Sequence, residues 1–131
     1  MKKTGILHAD LAAHLARLGH TDQFLVVDSG FPVPSGVPVV DLRVVYGLPG
    51  FAPVLAAIAD EVVVERALVA TELAAANPAA HDVIADRFGE LDTVDHIELK
   101  RRAVAARFAV RTAEDTPYAN VLLTAGVGFP V

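Results

Sequence analysis

Several side chains in this sequence could handle protons and hydroxyl groups. His20 follows Arg17-Leu18-Gly19, just past a predicted helix. Histidine titrates near neutrality, and the negative end of a helix dipole suits a proton donor. Asp28 closes a predicted strand, and in open α/β sheets ligands bind outside the carboxyl ends of strands. His96 and Lys100 stand four residues apart, on one face of a predicted helix near its start. Tyr118 and Asn120 precede the last predicted strand and bring a phenol and an amide, a pair suited to a hydroxyl-rich ligand.

Each of these residues also has a plainer reading. His20 could be a helix cap or a surface residue, and Asp28 before Ser29-Gly30 a turn former. His96 could be a first-turn surface residue. Lys100 could belong to the solvated run Lys100-Arg101-Arg102, and Tyr118 and Asn120 could be turn residues. His8, His14 and His81 read as helix or turn surface residues.

The elements that must position these groups alternate between helix and strand. Asp10 reads as an N-cap, with Leu11, Leu15 and Leu18 at helical spacing and Gly19 as the stop. Gln23 to Val27 suits a buried strand, ended by the turn signal Asp28-Ser29-Gly30. Prolines 32, 34 and 38 stiffen the following loop, and Val37 to Leu42 is a second strand candidate. Gly50 to Ala59 reads as a helix with Pro53 in its first turn. Val62 to Leu73 favours a strand, before the helix-favouring run Glu72 to Ala76. Asn77-Pro78 opens a helix to about Phe88, and Asp95 caps another from His96 to about Val110. Val121-Leu122-Leu123 is the final strand. The expected fold is one α/β domain over residues 1–131, a mainly parallel sheet flanked by helices on both faces.

Composition narrows the chemistry. The 131 residues include no cysteine, which removes disulfides, thiolate catalysis and iron–sulfur ligation. A net charge of −5 argues against a nucleic-acid surface. Although 53% of residues are hydrophobic, no run approaches the ~20 apolar residues of a spanning helix. Lys2-Lys3 is followed only by Ile6-Leu7 before His8 and Asp10, which does not make a secretory leader. A cytoplasmic domain without membrane contact is expected. The five histidines form no HExxH pattern, and His8 and His14 do not share a face, so no metal site is expected. Gly126-Val127-Gly128 has no following helix to hold a pyrophosphate, and Asp28-Ser29-Gly30 lacks the preceding glycine of a nucleophile elbow.

Taken together, three linked patterns are specific. Arg17-Leu18-Gly19-His20-Thr21-Asp22, then Val26-Val27-Asp28-Ser29-Gly30-Phe31-Pro32-Val33-Pro34, then Pro117-Tyr118-Ala119-Asn120 with Ala125-Gly126-Val127 resemble the ribose pyranase and fucose mutarotase family. Met1 to Leu7 fits as well, and the likeness spans nearly the whole chain. The stretch between Asn77 and His96 is shorter than in some members, and no strand is evident before His96.

The resemblance implies that His20 is the proton donor and that Asp28, His96, Lys100, Tyr118 and Asn120 bind a monosaccharide. The implied reaction interconverts pyranose and furanose forms of D-ribose and needs neither cofactor nor metal. The Asp28 segment looks more like the ribose branch than the fucose branch. A fucose-type mutarotase and a non-catalytic sugar-binding accessory protein are the alternatives, with a purely structural oligomer behind them. The family forms ring-shaped homo-oligomers, which implies a decamer here. The predicted parallel sheet would put Asp28 and the Tyr118–Asn120 pair at opposite ends, so a neighbouring subunit is expected to complete the site.

Overall fold

Strand β1 (Gln23–Val27) is apolar from Phe24 onward because it is covered on both faces. In the computed structural model, which describes residues Met1–Val131, Phe24 and Val26 enter one core and Leu25 and Val27 the other. This is the two-residue alternation of a pleated strand. The larger core packs against α1 (Ala9–Ala16), α2 (Phe51–Ala59) and α4 (Pro78–Phe88), with Leu15, Leu55 and Ile84 among its members. The smaller core packs against α5 (His96–Arg102) through Leu99. Helices therefore cover both faces, as the sequence implied.

The remaining strands are β2 (Val39–Asp41), β3 (Val64–Ala70), β4 (Asp92–Val94), β5 (Ala109–Arg111) and β6 (Val121–Ala125). A short helix, α3 (Leu73–Ala76), follows β3. The sheet order is β2-β5-β1-β6-β3-β4. Strands β1 to β5 all run the same way, and β6 alone runs against them, paired with β1 and β3.

Local details differ from the expectation, each for a physical reason. The N-cap of α1 is His8, whose Nδ1 accepts the Leu11 N–H at 3.1 Å; Asp10 sits in the first turn instead. The helix ends at Arg17 in right-handed geometry, so Gly19 is not its stop. The helix from His96 stops at Arg102 and passes through a 3-10 turn, Ala103–Ala105, rather than continuing to Val110. Phe108 is buried there, 5.2 Å from the ring of Phe24. Burying such a ring is worth about 1.5–3 kcal/mol. Ala109 to Arg111 then pair with both β1 and β2, so tertiary pairing overrides the helical tendency of an alanine-rich run. A strand, β4, does precede His96; its three residues are too few for a period to show.

Candidate active site

Because β6 is antiparallel, the residue after β1 meets the residue before β6. Asp28 and Asn120 thus lie side by side at the carboxyl end of the five parallel strands. The Asp28 N–H donates to Asn120 Oδ1 at 2.8 Å, and Asn120 Nδ2 donates to Asp28 Oδ2 at 3.0 Å. Asp28 Oδ1 accepts the Gly30 N–H at 3.0 Å, so both carboxylate oxygens are held. This overturns the expectation that the two lie at opposite ends. That argument assumed a strand direction that sequence periodicity does not report.

Tyr118 joins the same end. Its φ is 58°, an uncommon value for a bulky residue. The turn is closed by the Asn120 N–H, which donates to the Tyr118 carbonyl at 2.7 Å. Backbone held in this region costs of order 1–3 kcal/mol and gathers at ligand sites. The Tyr118 ring meets the His96 ring edge-on, with centroids 5.1 Å apart. Phe31 packs on His96 in the same manner at 6.2 Å. His96 Nδ1 is buried without a hydrogen-bond partner, and such groups call for an explanation in a native structure. Lys100 is exposed one turn along α5, and its side chain makes no hydrogen bond or ion pair within the chain.

A hydrogen-bond network behind the site fixes it, built on the buried Asn77, and the sequence did not single out these groups for that role. Asn77 caps α4 by accepting the Ala80 N–H at 3.2 Å, as its place before Pro78 implied. Its Nδ2 also donates to the Pro117 carbonyl at 2.9 Å and to Thr116 Oγ1 at 2.8 Å. Thr116 in turn donates to Glu114 Oε2 at 2.7 Å, and Glu114 Oε1 accepts the Phe51 N–H at the start of α2. The Tyr118 turn is thereby tied to two helix N-termini. At the start of α5, Asp95 Oδ1 accepts the Glu98 N–H and Glu72 accepts the His96 N–H. The Thr71 hydroxyl and, after it, the His96 N–H hold the Glu72 carboxyl below its usual range, against the opposing effect of burial. The only sequence signal for Glu72 is an acidic residue just past a strand end.

His20 lies elsewhere. It precedes β1, whereas Asp28 follows it, so the five residues of β1, about 17 Å of strand, separate them. His20 sits in a turn in which the Asp22 N–H donates to the Gly19 carbonyl at 3.1 Å and the Gly19 N–H to Asp22 Oδ2 at 2.8 Å. Thr21 has a φ of 71°, the pattern of a type II turn, where glycine is usual. The Thr21 N–H donates to the Ala125 carbonyl at 2.9 Å, and Arg107 Nε donates to Asp22 Oδ1 at 3.1 Å. The Gly19 N–H, with help from Arg107, holds the Asp22 carboxyl below its ordinary range, against burial. His20 Nε2 is 2.9 Å from Glu65 Oε2, a contact the sequence did not suggest.

The chain thus brings together Asp28, His96, Tyr118 and Asn120, and sets His20 at the far end of the sheet. No three His, Asp or Glu side chains converge as a metal-ligand set, and no helix is long and apolar enough to cross a membrane. The first group offers a carboxylate, a phenol, an amide and an imidazole, which can bind several hydroxyls at once. His20, at the other end, offers an imidazole beside a carboxylate.

Comparison with known proteins places the chain in a family. A protein named D-ribose pyranase 1 from Rubrobacter xylanophilus is 54% identical over 129 residues, 98% of this chain and 100% of its own length. The structure of Bacillus subtilis RbsD complexed with D-ribose matches with a TM-score of 0.94 at 43% identity, covering 98% of this chain and 100% of that one. A fucose mutarotase from Streptococcus pneumoniae, in complex with L-fucose, matches with a TM-score of 0.78 at 18% identity, over 94% of this chain and 95% of its own, a likeness of fold alone. The family model described as the RbsD / FucU transport protein family matches residues 1–128, and the chain belongs to that family.

Proposed function

We propose that the chain is a D-ribose pyranase, interconverting the pyranose and furanose forms of unmodified D-ribose. The observation that carries this reading is the Asp28–Asn120 pair, fixed beside Tyr118 and His96 at the carboxyl ends of the strands. The name of the Rubrobacter relative and the ribose in the Bacillus structure support it.

The chemistry needs only proton transfers. A proton goes to the ring oxygen as the bond from that oxygen to the anomeric carbon breaks, and the oxygen keeps the electron pair. The anomeric hydroxyl gives its proton to a basic group or water, and the carbon becomes a carbonyl. Attack by a different hydroxyl closes the other ring and reverses both transfers. His20 is the donor, because histidine exchanges protons near neutral pH. Asp28, Tyr118, Asn120 and His96 hold the sugar hydroxyls. Lys100, about 6 Å along α5 from His96, borders them.

A strand's length separates donor from binding group, so a second copy supplies His20 to the Asp28 cluster of the first. One end of each subunit then meets the opposite end of the next, a head-to-tail contact that closes into a ring. A decamer of such subunits matches the family resemblance.

NMR magnetisation exchange between pyranose and furanose signals of D-ribose tests the activity. Wild type accelerates exchange, and His20→Ala does not while still binding ribose. Acceleration of L-fucose anomer exchange with none for ribose overturns the ribose reading. Ribose binding without acceleration of either sugar leaves a binding protein, and no binding at all removes the sugar site.

A further inference from the structure

Glu65 stands out among the groups that the site above does not use. It is half exposed on β3, yet its Oε2 lies 2.9 Å from His20 Nε2, across 45 residues of sequence. As an isolated surface ion pair this contact would contribute little to stability. Its placement is nevertheless built into the backbone. The pairing of β3 with β6 shifts register between Val64 and Arg66, so Glu65 is the extra residue of a β-bulge. Bulges re-aim a side chain, and they favour the neighbourhood of active sites.

The strand opposite makes room for the bulge. A Cβ on Gly126 would fall 3.4 Å from Glu65 Cβ and 3.0 Å from Val63 Cγ1, so a bare backbone is what fits there. The Gly126 N–H donates to the Val63 carbonyl at 2.8 Å, which pins β3 just before the bulge. The His20 turn is anchored to the neighbouring residue of β6, through the Thr21 N–H and the Ala125 carbonyl. Histidine and carboxylate are thus both referenced to Ala125, the last residue of β6, and to Gly126, which follows it.

We propose that Glu65 is the positioning residue of His20: its carboxylate accepts the Nε2–H, so Nδ1 is the nitrogen that passes a proton to the sugar ring oxygen. This rests on the reading of His20 as the donor. A carboxylate only accepts, so the ring nitrogen facing it must carry hydrogen. The other nitrogen then holds the lone pair in the neutral ring and the transferable proton in the imidazolium. The transfer is the step already written: the Nδ1 proton goes to the ring oxygen, and the neutral ring remains with Nε2–H on Glu65. Carboxylates that fix a catalytic histidine in this way set both its tautomer and its direction.

Glu65→Gln keeps the shape and removes the obligatory acceptor. In the intact protein, nitrogen-15 NMR of the His20 ring reads the Nε2–H tautomer in the neutral form, and Glu65→Gln mixes the two tautomers. Ribose exchange at saturation falls roughly tenfold or more in Glu65→Gln, with half-saturation within about twofold of wild type. Glu65→Asp, which restores a carboxylate, recovers part of the loss. An unchanged denaturation midpoint excludes a structural cause. Full exchange activity and an unchanged tautomer in Glu65→Gln, alongside an inactive His20→Ala, overturn the positioning role and leave the donor role standing. Full activity in His20→Ala overturns the donor reading and this proposal together.

Discussion

Asp28 and Asn120 are locked to one another by two reciprocal hydrogen bonds, 2.8 Å from backbone to amide and 3.0 Å from amide to carboxylate. Asn120 is nearly fully buried, so its amide can serve Asp28 without competition from water. The pair joins the end of one strand to the start of its antiparallel neighbour, and it carries the first prediction. Asn120→Asp keeps the shape but sets a second carboxylate against the first, and two such groups about 3 Å apart resist ionising together. The variant loses about 1–3 kcal/mol of stability at neutral pH, by urea denaturation. Its ribose affinity falls as well, by titration calorimetry. Unchanged stability would show that the reciprocal bonds contribute nothing.

Mixing two inactive proteins tests the shared site. His20→Ala and Asp28→Ala each lack one half of it. If the halves come from different subunits, subunit exchange in an equal mixture rebuilds about one quarter of the sites, because each draws its donor and its binding half independently. Exchange activity recovers to about that fraction of wild type. A mixture that stays inactive after proven subunit exchange contradicts a site divided between copies.

The buried amide of Asn77 holds both the α4 cap and the segment leading into Tyr118. Asn77→Ala removes a cap worth about 0.5–2 kcal/mol and leaves the Pro117 carbonyl without its donor. Thermal unfolding therefore moves to lower temperature. Ribose half-saturation rises several-fold, because the Tyr118 turn loses its tether. Asn77→Asp keeps the cap but not the donor, so it recovers stability more than affinity.

Acid has a defined effect through Glu72. Its folded carboxyl lies below the ordinary value of 4.5, because the Thr71 hydroxyl and the His96 N–H favour the charged form. A depressed folded value means the contribution is fully present above pH 4.5 and is lost as pH falls through the folded value. Wild type therefore exceeds Glu72→Ala in stability by a constant margin at pH 6 to 7. The margin shrinks in acid, as paired urea curves across pH would show. A margin that grows on acidification would contradict the assignment.

Much of this was legible in the residues. The buried run Phe24–Val27 and the Asn77-Pro78 start signal name their elements without help, because burial on two faces and capping chemistry leave local marks. The residues that the sheet gathers at its carboxyl end, Asp28, His96, Tyr118 and Asn120, were singled out through their motifs. Strand direction was not. Val121 to Leu123 reads identically in either orientation, so only the sheet could bring Asn120 to Asp28. Strands β4 and β5 hid because each has three residues, and β5 lies in a run that favours helix. Glu65 was invisible for a further reason: a bulge is a relation between two strands, and neither carries its signature alone.

The place of β6 bears on the order in which the molecule can be made. It is the last strand in the sequence yet sits near the middle of the sheet, between β1 and β3. Strands β1 and β2 are joined only through β5, another late arrival. During synthesis the first two strands therefore emerge from the ribosome with every edge open. Only β3 and β4 find each other early. Closure waits for residues 109–125, and contacts this distant in sequence slow folding. Until that final segment threads between them, β1 and β2 stand unpaired beside a lone β3–β4 pair, and a stalled or prematurely ended copy lacks the centre of its sheet.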